Sequence, residues 1–447
     1  MIYNDIFRDW SNSYVGHEVV YMPPSWKSMC PIPYTFVYVD SELSCKEYIE
    51  FYKFGNSNNI DNPRFFSPGI LEFASLFHPS FFHSVKNSSQ IPTQFTKKIK
   101  TFKLTHPVSG GLDVPTTNYY LQSVIFLTGV TLSAAIVQNR WSKGTLESKL
   151  NRLWQAGSMI KNAGLAELVE LDICKFVLKN AFLIEIDPLK ALFELKIFYS
   201  KVLTKLAASI PSSEVYIQET KLTESQKLRF GFVNDLKSIL GNNIQSIILY
   251  GSATNSKKFS DYDLIIVVKN LKEGLEKLAG KSPTYNGLEL NISIFNEEDF
   301  WIFQLASGDN LMDHAICLYG EAKIPHKSKN DLLARNFSFG FIRFRQLLGM
   351  AAHVNNVSTE SDDKKNLLHY FTKIPLNVSK GIQGCYKNIT NNEELRKWFL
   401  ENLNFDVDIQ IEKSHSGNPI EAISSSTWAT QEVMKFYNKE LNICTPV

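Results

Sequence analysis

One stretch constrains this chain more than any other: Ser246 to Val268, SIILYGSATNSKKFSDYDLIIVV. Ile247, Ile248, Leu249 and Tyr250 form a short apolar run rich in β-formers, and Leu264 to Val268 form a second. Short continuous apolar runs bounded by turn residues read as buried strands. Between them Gly251-Ser252 opens a polar loop, and Asp261-Tyr262-Asp263 leads into the second run. Side chains alternate along a strand, so Asp261 and Asp263 share one face and Tyr262 points away. Two carboxylates on one face repel each other unless a cation sits between them. Oxygen-only donors of this kind suit Mg2+, with substrate phosphates completing its octahedron. Gly251 lets backbone come close to a phosphate, and the Ser252 hydroxyl and loop N–H groups are donors for it. A lone Asp-x-Asp or a lone Gly-Ser is an ordinary turn. The combination of apolar strand, Gly-Ser, short polar loop and Asp-x-Asp opening a second apolar strand is narrower, and points to a metal and phosphate site.

This stretch resembles the nucleotidyltransferase superfamily that includes DNA polymerase β, and most of all its minimal and antibiotic-modifying members. The resemblance covers about residues 225–325, under a quarter of the chain. It implies an α/β (α+β) catalytic domain with a short mixed sheet. It also implies Gly251 and Ser252 at the nucleotide phosphates, and Asp261 and Asp263 as ligands of two Mg2+ ions, with Mn2+ as a substitute. The loop after Ser252 is shorter than in most relatives and lacks their common Arg, so Lys257 and Lys258 are the cations available to the nucleotide. The family's third acid falls on Leu288 to Phe295, whose alternation puts Glu289, Asn291 and Ser293 on one polar face. Distance to the strand end places Asn291 at the acid position. Glu289, two residues earlier on the same face, is a carboxylate, and we assign it as third metal ligand and as the group that polarises the acceptor. The implied reaction moves an NMP from an NTP, ATP first among them, to an acceptor hydroxyl on a small molecule, releasing pyrophosphate. Two alternatives stand beside it. One is nucleotidylation of a Tyr or Ser on a partner protein, which the N-terminal region would recognise. The other is a non-catalytic nucleotide-binding sensor or assembly module, suggested by Asn291.

At 447 residues the chain fits two or three domains. We divide it into residues 1–215, irregular and aromatic and then largely helical; 216–325, the nucleotidyltransferase-like domain; and 326–447, a helical domain. A net charge of +2 disfavours a general nucleic-acid binder. Six cysteines without CxxC spacing read as reduced thiols of a cytoplasmic protein. The longest apolar run, Val124 to Val137, is too short to span a bilayer and reads as a buried helix, so no membrane partner is expected.

Within the first segment Tyr34 to Val39 reads as a strand, and His78 and His83 as packed among Phe residues. Ser109-Gly110-Gly111-Leu112-Asp113 is similar to the loop of ATP pyrophosphatases, but no buried strand precedes it and Pro115 disturbs the expected helix start; it reads as a turn. The basic run Lys97 to Lys103, and Arg140, Lys143, Lys149, Arg152 and Lys161, read as solvated faces. Thr223 to Leu240 reads as one helix, with a Thr223/Gln226 capping box, Gly241 at its stop and an apolar stripe that includes Leu228. Glu297 to Ala306 reads as a helix broken by Ser307-Gly308-Asp309, and Ile316 to Gly320 as a strand. Further helices are expected at Phe337 to His353, Lys364 to Ile389 and Thr427 to Leu441, with Asn404 to Asn418 a less regular insert. In relatives a helical domain closes over the nucleotide, which makes His353, His369, Lys373, Lys380 and Lys387 candidates for that role beside the plainer reading as exposed helix residues.

Overall fold

The computed structural model describes residues 19–22, 35–39, 41–58, 63–67, 121, 124–139, 186–208, 212–254, 259–309, 311–356, 362–387 and 391–441. His78, His83, Lys97 to Lys103, the Ser109 to Asp113 turn, the basic residues Arg140 to Lys161, and Lys257 and Lys258 lie outside them. The fold is mixed α/β and mostly helical. Among the described residues no helix is long and apolar enough to cross a membrane.

The chain forms two compact units, one of residues 1–107 with 329–447, the other of residues 108–328. The segment read as an N-terminal region is thus divided between them. The first unit begins with strands β1 (Val19–Met22) and β2 (Thr35–Val39), helix α1 (Cys45–Ser57) and strand β3 (Pro63–Phe66). β2 is central, antiparallel to β1 and parallel to β3. Ser44 and Glu47 cap α1 reciprocally.

The second unit opens with a helical segment whose middle, Phe126–Leu132, widens to π geometry before α2 (Ser133–Gln138). The expected buried helix is therefore interrupted where it packs on β8. Gly129 lies directly against the Phe295 ring, where any Cβ would collide. A π turn is a common device where one residue must be accommodated out of phase. Helix α3 (Pro188–Ala208) follows, then strand β4 (Glu214–Ile217). Thr223 to Leu240 is two helices, not one: α4 (Glu224–Arg229) and α5 (Phe232–Leu240). The capping box at Thr223 and Gln226 forms in both directions, and Gly241 ends α5 at φ +58. The break at Phe230-Gly231 changes the helical phase, so Leu228, expected in the apolar stripe, is 77% exposed. Gly231 allows the Tyr285 hydroxyl to approach the backbone there.

Strands β5 (Ile244–Tyr250), β6 (Asp261–Val268), β7 (Thr284–Tyr285), β8 (Leu288–Asn296) and β9 (Ile316–Gly320) make one sheet in the order β7-β8-β6-β5-β9. β6 and β8 are parallel and the other pairs antiparallel. Helix α6 (Leu271–Leu278) connects β6 to β7, and α7 (Glu297–Ala306) and α8 (Leu311–His314) connect β8 to β9. Both faces are covered. Gly274 of α6 fits against Val268 and Ile294 on one face. On the other, Ile248, Ile265, Val267 and Phe295 form a core with Phe300 and Phe303 of α7 and Ile125. Strand β10 (Ala322–Pro325) pairs with β4 and contributes Ala322 and Ile324 to that core. Lys196 of α3 pairs with Asp299 of α7. Helix α2 is tied to β8 as well: Gln138 Nε2 donates to the Leu290 carbonyl at 2.9 Å.

The rest of the first unit is helical: α9 (Lys329–His353), α10 (Asp362–Thr372), α11 (Ile374–Lys387), α12 (Asn392–Leu403), α13 (Val407–His415) and α14 (Pro419–Leu441). Lys364 to Ile389 is interrupted at Lys373, with Pro375 in the first turn of α11, where its missing N–H is tolerated. The expected irregular insert contains α13, capped by Asp406, which accepts from the Asp408 and Ile409 amides. The last helix begins eight residues earlier than its apolar pattern suggests. Its first half buries Ser424, Ser425, Ser426, Thr427 and Thr430. Thr427 and Thr430 donate back to the Ile423 and Ser426 carbonyls, which satisfies hydroxyls inside a core. The N-terminal elements are sewn to these helices: Trp428 donates to the Leu43 carbonyl, Tyr48 to Gln431, and Asn56 to the Ala351 carbonyl.

Gly129→Val tests the packing of the π segment. Overpacking against Phe295 is expected to destabilise the unit of residues 108–328 by about 1–3 kcal/mol, read by urea denaturation with hydrogen exchange to locate the loss. Unchanged protection across β8 would show that the segment does not rest on Phe295.

Candidate functional site

The site is built where β5 ends and β6 begins. β5 hands the chain to a 3-10 turn, Gly251–Thr254, closed by the Thr254 hydroxyl donating to the Gly251 carbonyl at 2.8 Å. Gly251 has φ +76, a conformation L side chains rarely adopt, and a Cβ there would strike the Asp263 carboxylate. Two independent constraints therefore require glycine at this position. Ser252, next in the turn, is exposed.

Asp261 and Asp263 share a face as the alternation predicts, both half-buried, with Tyr262 buried on the other side. Asp261 accepts from the Ser260 hydroxyl at 2.8 Å. Asp263 accepts from the Asn291 amide nitrogen at 2.9 Å. Burial, and then the charge of Asp261, raise the Asp263 carboxyl to about 6, partly offset by the Asn291 hydrogen bond. The parallel register pairs Asp263 with Asn291 and Asp261 with Glu289. Asn291 is thus the β8 residue that touches the deeper carboxylate, and Glu289 stands level with the outer one.

Among the described residues no three His, Cys, Asp or Glu side chains gather into a metal-sized cluster. What the arrangement offers a cation is a pair of carboxylates. Mg2+ commonly takes one or two carboxylates and leaves its other positions to water and substrate phosphates. The donor chemistry of Asp261 and Asp263 fits such an ion. A second ion with its own third carboxylate does not follow from these residues.

Three neighbours went unread in the sequence. Arg229, at the end of α4, donates from Nη2 to the Ala253 carbonyl at 2.8 Å, and its guanidinium lies 4.8 Å from the Phe259 ring centroid. It holds the loop at its start and near its end. Phe259 also packs on Tyr262, which belongs to an aromatic cluster with Phe230, Phe232 and Tyr285. In the sequence Arg229 sits inside what reads as one helix, Thr223 to Leu240, with nothing to mark it out. Tyr250 pairs with Asp263 across β5 and β6 and bonds to Ser293. Burial, then the charges of Asp263 and Asp309, push its hydroxyl well above the ordinary range, so it stays protonated. Asp309, read as part of a helix breaker, lies in a turn where Lys327 donates to the Gln304, Ser307 and Asp309 carbonyls.

No protein-family model and no curated protein sequence matches this chain.

The raised Asp263 carboxyl fixes a pH dependence. A carboxyl raised from 3.8 to about 6 in the fold favours its protonated form, so this group adds stability as pH falls through 6 and withdraws it as pH rises. A cation bound by Asp263 would compete with that proton. Mn2+ affinity is expected to rise by up to about tenfold per pH unit below pH 6 and to flatten above about pH 7. Asp263→Asn is expected to raise the thermal midpoint of the metal-free protein near pH 7.5 and to remove Mn2+-dependent stabilisation. A wild-type Mn2+ affinity that is flat from about pH 5 to 7 would contradict the described environment of Asp263.

Proposed function

We propose that residues 225–325 bind a nucleoside triphosphate through a divalent cation and transfer its nucleotidyl group to an acceptor hydroxyl, releasing pyrophosphate. The observation that carries this reading is the Gly251 turn held against Asp263, with Asp261 on the same face. In this reading Asp261 and Asp263 hold the cation. Gly251 keeps the turn clear of side chain where the triphosphate approaches, and the Ser252 hydroxyl with the turn's N–H groups donates to phosphate oxygens. A bound Mg2+ supplies Lewis acidity and neutralises charge on the triphosphate. Arg229 keeps the turn in place from below, and the protonated Tyr250 hydroxyl adds no charge beside Asp263. Glu289 is the carboxylate nearest in register to orient the acceptor. The choice of ATP, a small-molecule acceptor or a protein side chain as acceptor, and a cytoplasmic setting belong to the same proposal.

A second reading, nucleotide binding without transfer, is favoured by Asn291, a neutral amide hydrogen-bonded to Asp263 at the position of the family's third acid. Both readings are tested together. Pyrophosphate release is measured with each NTP and Mg2+ or Mn2+, with and without cell extract, and NTP binding is measured in parallel. Transfer predicts release that falls by at least about a hundredfold in Asp263→Ala, as for loss of a group acting on the transition state. Binding lost in that variant, with no release from the native chain under any condition, selects the second reading; release and binding both indifferent to Asp263→Ala overturn the two together. Asn291→Asp adds a third carboxylate and is expected to raise Mn2+ stoichiometry or release above the native level.

A further inference from the structure

Helices α10, α12 and α13 of the first unit carry four basic side chains, His369, Lys373, Arg396 and His415; two contacting pairs, His369 with His415 and Arg396 with Asp408, are linked by Lys373. The rings of His369 (α10) and His415 (α13) stack with centroids 5.6 Å apart at 22°. One turn beyond His369, Lys373 is half-buried and lies within reach of the charges of both Arg396 (α12) and Asp408 (α13). Arg396 Nε is 3.2 Å from the Asp408 carboxylate, which is the more exposed partner of the two. The neighbouring acid Asp406 is occupied in capping α13. Asp408 is therefore the acid that answers Lys373 and Arg396.

The balance is unfavourable as it stands. Among the described residues Lys373 makes no side-chain hydrogen bond or ion pair, and the buried His369 Nδ1 has no hydrogen-bond partner. Burial, then Arg396, lower the Lys373 ammonium from its ordinary value, and burial, then Lys373 and His415, lower His369. Two partly buried cations, Lys373 and Arg396, thus share one carboxylate, Asp408, and a ligand that supplies further negative charge would offset the cost of holding them there. The available donors are an ammonium, a guanidinium edge and imidazole nitrogens. These form charge-assisted hydrogen bonds to a tetrahedral oxyanion.

We propose that His369, Lys373, Arg396 and His415 form a binding site for a phosphoryl dianion, free or carried on a small molecule. Asp408 holds Arg396 in place and opposes the anion by like charge. The site does not depend on the nucleotidyltransferase reading.

The test uses the full chain with ring-labelled histidine, observed by NMR during titration with inorganic phosphate and, in a separate arm, pyrophosphate. His369→Gln and His415→Gln assign the two signals. The expected result is saturable movement of these two of the nine histidine signals. Lys373→Gln is expected to weaken binding by about tenfold, and Asp408→Asn to tighten it by about threefold, in line with the strength of charge-assisted contacts. Tightening cannot arise from a misfolded variant. Stronger binding of pyrophosphate than phosphate assigns the site to a diphosphate-bearing ligand, and equal binding to a monophosphate. The proposal is overturned if neither signal moves at about 10 mM anion, an affinity weaker than any useful site. It is overturned equally if the affinity is the same in Lys373→Gln and Asp408→Asn as in the native chain.

Discussion

Everything at the candidate site depends on an apolar sheet holding a carboxylate where solvent alone would not leave it. Two residues beyond Asp263 on the same face is Ile265, 2% exposed and packed in the core with Phe295 and Phe303. Asp263 cannot retreat toward water without drawing β6 out of that core, and burying such apolar side chains is worth about 1.5–3 kcal/mol each. Gly251 closes the other side, with its backbone where a side chain would otherwise stand. The result is a carboxyl raised to about 6 by burial and by its neighbour Asp261. Groups held in unfavourable environments by a well-packed scaffold concentrate at functional sites, because a ligand can then collect the difference.

The second support comes from below the turn. Arg229 joins the Ala253 carbonyl to the Phe259 ring, and the Tyr262 hydroxyl donates to the Arg229 carbonyl at 3.4 Å. Tyr262 therefore links the alternation of β6 to the position of α4. Its neighbours Asp261 and Asp263 face the site because Tyr262 is anchored in the aromatic cluster on the opposite face. A slip of one residue in β6 would expose Tyr262 and bury the carboxylates together.

Much of this was legible locally. The strands β5, β6 and β8 follow from apolar runs and strict alternation, α7 is bounded as Glu297–Ala306 by its own pattern, and the Thr223 capping box forms as read. What stayed hidden is long-range or chemically atypical. β4 pairs with β10 across more than a hundred residues. α1 packs against α14 near the opposite end of the chain, so an N-terminal element and the final helix share one core. No local pattern announces such pairings. The start of α14 was missed because EAISSSTWATQ is polar by composition, although Thr427 and Thr430 are satisfied by the helix itself and Ser426 by the Thr372 carbonyl. The break between α4 and α5 was missed because Leu228 continues the apolar spacing while Gly231, needed for the approach of Tyr285, ends it.

The register of β8 carries the remaining argument about chemistry. Residues on one face of a strand recur at about 6.6 Å, twice the rise per residue. Glu289 is thus displaced by that distance along the strand from the level of Asp263, and directly opposite Asp261. Oxygens sharing one Mg2+ stand only about 3–4 Å apart, given metal–oxygen distances near 2.1 Å. The same spacing separates Asp261 from Asp263, so a shared cation requires their side chains to converge; Glu289 stands beside Asp261, while the place beside Asp263 is taken by an amide that donates rather than coordinates. In the proposed reading Gly251, Ser252, Asp261 and Asp263 form the half of the site that would receive a triphosphate. In that reading activation of an acceptor would rest on Glu289 or on a group the acceptor itself brings, and Asn291 is the side chain that separates those two cases.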